Sequence, residues 1–323
     1  MRPLKFHPIL KQTLWGGERI IPYKELASGL SRVGESWELS GMPGSESVVA
    51  EGPWAGSTLS ELIGRFGAEL LGKANYARFG QEFPLLVKFI DAREDLSIQV
   101  HPDDELARKR HGKSGKCEMW YVLEAEPGAS LLTGFSRPIA PAGYERRVAD
   151  NTLTDVLNRQ AIASGDVFYL PAGRVHSIGK GSFIVEIQQS SDITYRIYDF
   201  DRRDAAGNSR ELHTELAREA IDFESSENSR ITYAPENNQE VRLVTTPYFT
   251  TSLYTLTART RCDWSATDSF VAIVLLQGSG SLTDNEGNRI DVRQGETWLL
   301  PASTQWTEIT PHTAPLRLLT SRI

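Results

Sequence analysis

Three residues of types that bind divalent metals stand in chemically unusual stretches of this sequence: His101, Glu118 and His176. Glu118 begins the apolar stretch EMWYVL, where a carboxylate is costly unless it is paired or bound to a metal. Two histidines and a carboxylate supply nitrogen and oxygen donors together. Zinc suits this set best, with an open position for water or substrate, and iron, cobalt or manganese could replace it. We therefore predict one divalent metal ion per chain, with zinc as the first choice.

The stretch SIQVHP adds a fourth donor beside His101. Residues two apart in a strand share a face, so Gln99 and His101 project together while Ile98 and Val100 face the core. The amide oxygen of Gln99 is a candidate fourth ligand. Glu118 has an alternative role, because a carboxylate at a strand end often forms a salt bridge instead.

The third ligand follows a turn in the stretch GDVFYLPAGRVHSIG. The apolar strand VFYL runs into Pro171 and Gly173, which favour a turn that no regular strand makes. The chain then re-enters with His176, whose neutral imidazole suits a metal. A lone histidine near a turn is more often a surface or packed residue than a ligand, so His176 depends on its partners for this role.

The elements that position these residues are mostly short strands. Segments such as PLLVKFIDA, SFIVEIQQS and RLVTTPYFTTSLYTL are β-branched or aromatic and are bounded by Gly, Pro, Asp or Asn. Gly165 and Pro171 recur with the same spacing as Gly295 and Pro301, each pair after a strand and a glycine turn. We predict a mainly β protein with a duplicated jelly-roll barrel. The second copy lacks a histidine in the place of His176, so the metal is expected in the first barrel alone.

Helical patterns are fewer, and they fall in the first third of the chain and around 212–223. Spacings of three and four residues predict helices over about 57–72, 102–112 and 212–223, the first of them capped by Ser57 or Thr58. The polar stretch 223–240 is the candidate linker. We predict a catalytic domain over 1–228, with helical insertions, and a metal-free barrel domain over 229–323.

Composition excludes several classes of protein. The 323 residues carry a formal net charge of -7, which argues against a nucleic-acid-binding surface. No apolar run approaches the roughly 18 residues of a membrane span, and the first residues lack the pattern of a signal peptide. Two distant cysteines, Cys117 and Cys262, are typical of reduced thiols in a cytosolic protein. We predict a cytoplasmic protein that binds neither nucleic acid nor membrane.

Several longer motifs occur together: LKQTLWGG, PLLVKFIDAREDLSIQVHPDDELA, GKCEMWYVL, YLPAGRVHSIG and TYRIYDFDR. Together they resemble the type I mannose-6-phosphate isomerases of the short bacterial branch, a family within the cupin superfamily. The resemblance covers most of the chain. It implies two cupin (jelly-roll) barrels with a small helical portion, a zinc ion, and the interconversion of mannose 6-phosphate and fructose 6-phosphate through an enediol.

The resemblance also assigns roles to residues. It puts the metal ligands on His101, Glu118 and His176, with Gln99 where some members have a fourth ligand. The proposed catalytic arginine of the family falls on Arg196. As a guanidinium, Arg196 would stabilise the enediolate or orient the substrate, and its alternative is an ion pair with Asp199 or Asp201.

Three further residues are candidates for contact with the substrate. Lys116 matches a lysine beside the metal-binding glutamate and could be the general base or a plain cation for phosphate or hydroxyl groups. Lys88, inside an apolar strand, needs a partner or a task and could bind the phosphate. Trp15 could lie against the sugar or could simply pack.

The expected partner is a sugar phosphate, and the expected state is a monomer or a homodimer. Two other functions share the barrel: a cupin iron-dependent oxygenase and a non-enzymatic sugar-binding bicupin. The chain has Gln99 and His101 where a general cupin has two histidines, which disfavours the oxygenase. A complete open metal site disfavours the pure binding protein.

Overall fold

The computed structural model describes residues 1–204, 206–224 and 228–323. Within these ranges the chain forms 24 strands, seven α-helices and one 3₁₀ helix, Leu153–Val156. The prediction of a mainly β protein is confirmed.

The strands of the first half are β1 (Leu4–Lys5), β2 (Ile9–Gly17), β3 (Val33–Leu39), β4 (Gly41–Met42), β5 (Ser45–Glu46), β6 (Leu85–Asp91), β7 (Ile98–Val100), β8 (Glu118–Ala125), β9 (Ser130–Phe135), β10 (Leu157–Ala161), β11 (Val167–Leu170) and β12 (His176–Ile178). The later strands are β13 (Ser182–Gln189), β14 (Tyr195–Tyr198), β15 (Arg230–Ile231), β16 (Glu240–Thr245), β17 (Thr250–Leu256), β18 (Thr260–Asp263), β19 (Val271–Gln277), β20 (Ser279–Asp284), β21 (Arg289–Arg293), β22 (Thr297–Leu300), β23 (Trp306–Pro311) and β24 (Leu316–Arg322). The helices are α1 (Ile20–Tyr23), α2 (Leu59–Phe66), α3 (Ala68–Leu71), α4 (Lys73–Phe79), α5 (Asp104–His111), α6 (Pro141–Ala149) and α7 (Thr214–Ala220).

Two sheets build the part of the molecule that carries the site. A seven-stranded sheet has the order β15-β11-β8-β13-β6-β3-β2, and a five-stranded sheet has the order β10-β9-β12-β7-β14. They enclose one apolar core, with Trp120 and Phe168 from the larger sheet and Leu131 and Ile178 from the smaller. Strand alternation then directs every second side chain of these strands into the space between the sheets.

Two further sheets follow the same plan in the second half. The six-stranded sheet β1-β22-β19-β24-β17-β16 and the four-stranded sheet β18-β23-β20-β21 enclose a second core around Trp264 and Trp298. Two separate cores, each between two sheets, support the predicted pair of barrels, which stays a prediction together with its boundary at residue 228. The first strand of the chain lies in this second half, since Leu4 pairs with Leu299.

The larger sheets of the two halves pack against each other. Phe89 and Val185 on the outer face of the seven-stranded sheet belong to the same buried cluster as Val274 and Leu319 of the six-stranded sheet. Because β6 is covered on both faces, all of its residues are buried, which explains its nearly continuous apolar sequence. The two halves therefore share an apolar layer.

The predicted helix over 57–72 is two helices, and the single-helix prediction is wrong. The Thr58 hydroxyl accepts from the Glu61 amide, and the Glu61 carboxylate accepts from the Thr58 amide, so this pair caps α2. Gly67 then adopts a φ of 50°, which ends α2 before α3 begins. A second break follows at Gly72, where a Cβ would lie 2.1 Å from the Asp268 carbonyl oxygen.

The other predicted helices are shorter than expected. Asp103 caps α5 by accepting from the Leu106 amide, so the helix begins at Asp104 and not at 102. The helix α7 ends at Ala220 and not at 223, because the next residues turn to bond the Gly173 carbonyl. Together with α6, these helices cover the outer face of the five-stranded sheet. None of the helices in the described ranges has the length and apolar character needed to cross a membrane.

Candidate active site

One row of side chains crosses the five-stranded sheet. His176 of β12 pairs with Thr133 of β9 on one side and with Gln99 of β7 on the other, and Gln99 pairs in turn with Arg196 of β14. Residues in register on neighbouring antiparallel strands project from the same face. Ile98 and Val100 lie in the apolar cluster outside the sheet, so the row faces inward, as the alternation in SIQVHP predicts.

The opposite sheet supplies the carboxylate. Glu118, the first residue of β8, directs Oε1 to within 3.2 Å of His101 Nε2 and Oε2 to within 3.5 Å of His176 Nε2. One ligand atom from each of the three residues lies within 4.8 Å of the others. All three side chains are at most 2% exposed. The structure therefore brings together the three residues that the sequence singles out as metal ligands.

Backbone carbonyls orient both imidazoles. His101 Nδ1 lies 2.8 Å from the Ile193 carbonyl oxygen, and His176 Nδ1 lies 2.8 Å from the Arg174 carbonyl oxygen. A carbonyl can only accept, so each Nδ1 carries the proton and each Nε2 keeps its lone pair. Both lone pairs then point toward the Glu118 carboxylate, which is the arrangement of a metal site with fixed ligands.

Burial and charge set the protonation states needed for metal binding. Burial, together with the Lys116 ammonium, lowers the pKa of His101 to about 3. Burial also lowers the pKa of His176. Burial alone would raise the pKa of Glu118, but the nearby Lys116 holds that pKa well below its usual range. Neutral imidazoles and an ionised carboxylate are the forms that bind a divalent cation.

The donor set fits a divalent metal ion. Glu118 Oε2 is buried and has no hydrogen-bond partner, an arrangement that costs free energy unless a cation completes it. Within the described part of the chain, this is the one cluster of three histidine, cysteine or acidic side chains with suitable spacing. Gln99 lies 3.3 Å from His176 Nε2 through its amide group and is partly exposed. A rotation of that amide would present its oxygen to the same point.

Lys116 enters the cluster from the loop that precedes β8. Its Nζ donates to Glu118 Oε1 and lies 3.2 Å from His101 Nε2. The side chain is 5% exposed. Lys116 is therefore buried among the candidate ligand atoms.

Arg196 is the register partner of Gln99 and is partly exposed. Its Nη1 donates to the Glu211 carbonyl oxygen over 2.9 Å, and its buried Nε has no hydrogen-bond partner. Burial, followed by the charge of Arg210, lowers the pKa of Arg196, which leaves a guanidinium protonated at neutral pH. Asp199, one of the two predicted alternative partners, instead pairs with Arg202 and Arg210.

Lys88 and Trp15 are both packed. Lys88 Nζ lies 3.0 Å from Glu186 Oε1, and both side chains are less than 10% exposed. Trp15 is 4% exposed and belongs to the core between the two sheets. Glu186 is thus the partner that a lysine in this apolar strand needs. Trp15 packs in the core, which is the alternative role predicted for it. Contact of either residue with the substrate stays a prediction.

Glu186 and Trp120 are the supporting residues that sequence reasoning missed. Trp120 donates its indole N–H to Glu186 Oε2 over 2.9 Å, and its ring meets the His176 ring edge-on at 5.4 Å between centroids. The available signal was Glu186 itself, a charge inside the apolar stretch SFIVEIQQS. Its partner could not be read from the sequence, because the pairing of Glu186 with Lys88 depends on sheet register.

Comparison with known proteins shows where the chain belongs. The family model described as "Phosphomannose isomerase type I, catalytic domain" matches residues 4–130. A probable mannose-6-phosphate isomerase of Bacillus subtilis, GmuF, is 34% identical over 303 residues, which cover 93% of each chain. The mannose-6-phosphate isomerase of Streptococcus mutans is 33% identical over 302 residues, which cover 93% of this chain and 92% of that one.

Structural similarity agrees with the sequence comparison. The crystal structure of a mannose 6-phosphate isomerase from Bacillus subtilis superimposes with a TM-score of 0.90 at 29% identity, and the match covers 100% of both chains. Full-length agreement in sequence and in fold leaves no large part of the chain unaccounted for. This chain therefore belongs to the type I phosphomannose isomerase family, as the sequence motifs predict.

Proposed function

We propose that this chain interconverts mannose 6-phosphate and fructose 6-phosphate, with one zinc ion held by His101, Glu118 and His176. The observation that carries the proposal is the orientation of the two Nε2 atoms toward one buried carboxylate. The choice of substrate is based on relatives that are described as mannose-6-phosphate isomerases. Gln99 is the proposed fourth ligand, by way of its amide oxygen.

The reaction moves one proton between C1 and C2 of the sugar and a second proton between O1 and O2, which exchanges a carbonyl with a hydroxyl. When bound, the metal would polarise the carbonyl and stabilise negative charge on its oxygen. Lys116 is the proposed base for the C–H proton, acting as the neutral amine, because its Nζ lies beside the candidate ligand atoms. In its protonated form the same group would return that proton to the neighbouring carbon.

Arg196 is the proposed stabiliser of the enediolate. Its guanidinium cannot serve as a base at neutral pH, but it offers several N–H donors in a fixed plane. One donor is already used by the Glu211 carbonyl, and the buried Nε is free to donate. A preorganised donor of this kind acts most strongly where charge develops in the transition state.

The two alternative functions are not favoured. An iron-dependent oxygenase could use the same three side chains as metal ligands. However, the relatives that match 93% of this chain are described as mannose-6-phosphate isomerases. A pure sugar-binding protein would not require Lys116 to be buried against two metal ligands. The cytoplasmic location and the monomeric or homodimeric state stay predictions.

The proposal is tested by measuring metal content and isomerase activity on one sample of purified protein. We expect about one zinc per chain and turnover of mannose 6-phosphate in a coupled assay. Chelation should remove both, and zinc should restore both. One metal without isomerase activity would refute the substrate, whereas activity that survives complete removal of metal would refute the metal-assisted reaction.

A further inference from the structure

The segment that carries Lys116 has no regular structure of its own. Residues 112–117 connect α5 to β8 and contain neither helix nor strand. A four-methylene side chain on such a loop has many conformations available, so its Nζ is placed only as well as the backbone beneath it. Something outside the loop must therefore hold it against the ligand cluster.

Two side chains fasten the loop on either side of Lys116. Asp104 Oδ1 accepts from the Gly115 amide over 2.8 Å, and Gln189 Oε1 accepts from the Cys117 amide over 2.9 Å. Gln189 Nε2 also donates to Asp104 Oδ1 over 3.1 Å, which joins the two contacts. The Lys116 amide itself donates to the Pro102 carbonyl over 3.2 Å. Three consecutive backbone amides are thus bound by fixed acceptors.

Packing at Gly115 shows how closely the loop is seated. A Cβ added to Gly115 would lie 2.5 Å from the Asp103 carbonyl carbon and 2.6 Å from the Asp104 nitrogen. These are backbone atoms, which cannot move aside as the end of a flexible side chain could. The loop therefore lies directly against the beginning of α5, and this position depends on glycine.

We propose that Asp104 and Gln189 are positioning residues that hold the 112–117 loop and so place Lys116 Nζ beside Glu118 and His101. Neither residue contacts the ligand atoms directly through any hydrogen bond found among the described residues. The catalytic part of the inference rests on the proposed function. The mechanical part of the inference, that Asp104 and Gln189 fix the 112–117 loop, does not depend on the reaction.

The test compares Asp104, the first residue of α5, with Asp103, the cap that precedes it. Asp104→Ala removes the acceptor for Gly115, whereas Asp103→Ala removes the acceptor for the Leu106 amide at the helix cap. Both changes remove one carboxylate from the same turn. Amide hydrogen exchange of 112–118, metal content, kcat and KM are measured for each variant.

We expect Asp104→Ala to speed exchange at Gly115 and Cys117, keep the metal, and lower kcat about tenfold to a hundredfold, since a misplacement of about 1 Å costs that order of rate. Asp104→Asn keeps an oxygen acceptor and should restore most of kcat. Asp103→Ala should lower stability without changing kcat. Combined with Lys116→Met, Asp104→Ala should cause no further loss, because it acts through Lys116.

Several results would overturn the inference. Unchanged amide hydrogen exchange in Asp104→Ala would show that Asp104 does not hold the loop. Faster exchange with a normal kcat would show that fixing the loop does not matter for turnover. An equal loss of kcat on the Lys116→Met background would place the effect elsewhere. If Lys116→Met leaves no measurable turnover, failure of Asp104→Asn to recover activity decides against the inference.

The two proposals fail in distinguishable ways. If the unaltered protein lacks isomerase activity, the proposed function and the catalytic part of this inference fall together. The exchange rates at Gly115 and Cys117 still decide whether Asp104 and Gln189 hold the loop. A loop that loosens in Gln189→Ala but not in Asp103→Ala would support the mechanical part.

Discussion

At the residue scale, two backbone carbonyls determine which ring nitrogens face Glu118. The Ile193 and Arg174 carbonyls bind the Nδ1 protons of His101 and His176, so neither ring can present that nitrogen to the cluster. Outer partners of this kind fix the tautomer of a histidine ligand and raise its basicity. The site is therefore prepared for a metal ion by groups that a motif search does not see.

Loss of the carboxylate should remove the metal. We expect Glu118→Ala to lose bound zinc and isomerase activity together, because two neutral imidazoles alone give an incomplete ligand set. Elemental analysis and a coupled mannose 6-phosphate assay measure the two losses. Glu124→Ala is the matched control, since Glu124 lies on the same strand with its side chain 58% exposed. Full zinc occupancy in Glu118→Ala would show that Glu118 is not a ligand.

Loss of the guanidinium should separate metal binding from turnover. We expect Arg196→Ala to keep its metal but to lower kcat by about 10²–10³, the usual cost of removing one donor from a developing oxyanion. Steady-state kinetics on metal-replete protein measures the effect. Arg203→Ala, an exposed arginine farther along the same segment, should leave kcat unchanged. A near-normal kcat in Arg196→Ala would limit that residue to a structural role.

At the element scale, strand register aligns a buried ion pair with three aromatic side chains in the seven-stranded sheet. In the seven-stranded sheet Trp37, Lys88, Glu186, Trp120 and Phe168 are successive register partners. The charged pair within this row supports Trp120, and Trp120 supports the His176 ring. The His176 ring in one sheet is thus connected through Trp120 to an ion pair in the other.

The ion pair should be costly to break from one side. We expect Lys88→Met to lower the free energy of unfolding by about 3–5 kcal/mol, because it leaves the Glu186 carboxylate buried without a counter-charge. Urea denaturation measures the change, with the exposed Lys180→Met as control. The double variant with Glu186→Gln should recover part of the loss, since the amide oxygen can still accept from Trp120. A loss below about 1 kcal/mol would contradict a charged buried Glu186.

Local signals were sufficient for the candidate ligands but not for their surroundings. Each candidate ligand has a signal within a few residues of it in the sequence. The signal is strand alternation for His101, a carboxylate in an apolar stretch for Glu118, and a turn for His176. The contact of Lys88 with Glu186 joins residues 98 positions apart, so it depends on which strands pair and in what register. No local pattern carries that information.

The predicted helix boundaries differ from the observed ones for another reason. The apolar spacing over 57–72 continues through Gly67, but the backbone there takes a positive φ that ends the helix. The helix α6 was missed, although Pro141 at its first position is a favoured start. Tyr144 is its one buried residue, so α6 has almost no apolar periodicity to detect.

At the scale of the whole molecule, the shared apolar layer should couple the stability of the two halves. Leu318 and Leu319 are neighbours on β24, but Leu318 faces the second core and Leu319 faces the layer between the halves. We expect a single thermal unfolding transition. Each Leu→Ala change should lower its midpoint temperature and reduce the free energy of unfolding by about 2–5 kcal/mol. Differential scanning calorimetry measures both. Two transitions, with Leu318→Ala moving only one, would contradict the coupling.

The position of β1 has a consequence for synthesis on the ribosome. Leu4 emerges long before its partner Leu299, so the six-stranded sheet cannot close until the segment that carries β22 and β24 has been translated. The outer face of the seven-stranded sheet, with Phe89 and Val185, is complete long before its cover at Leu319 exists. At the usual rate of translation this delay is on the order of ten seconds. Nascent chains stalled near residue 230 should therefore bind a hydrophobic dye that full-length chains released from the ribosome exclude, and equal dye binding would show that the face is protected in another way.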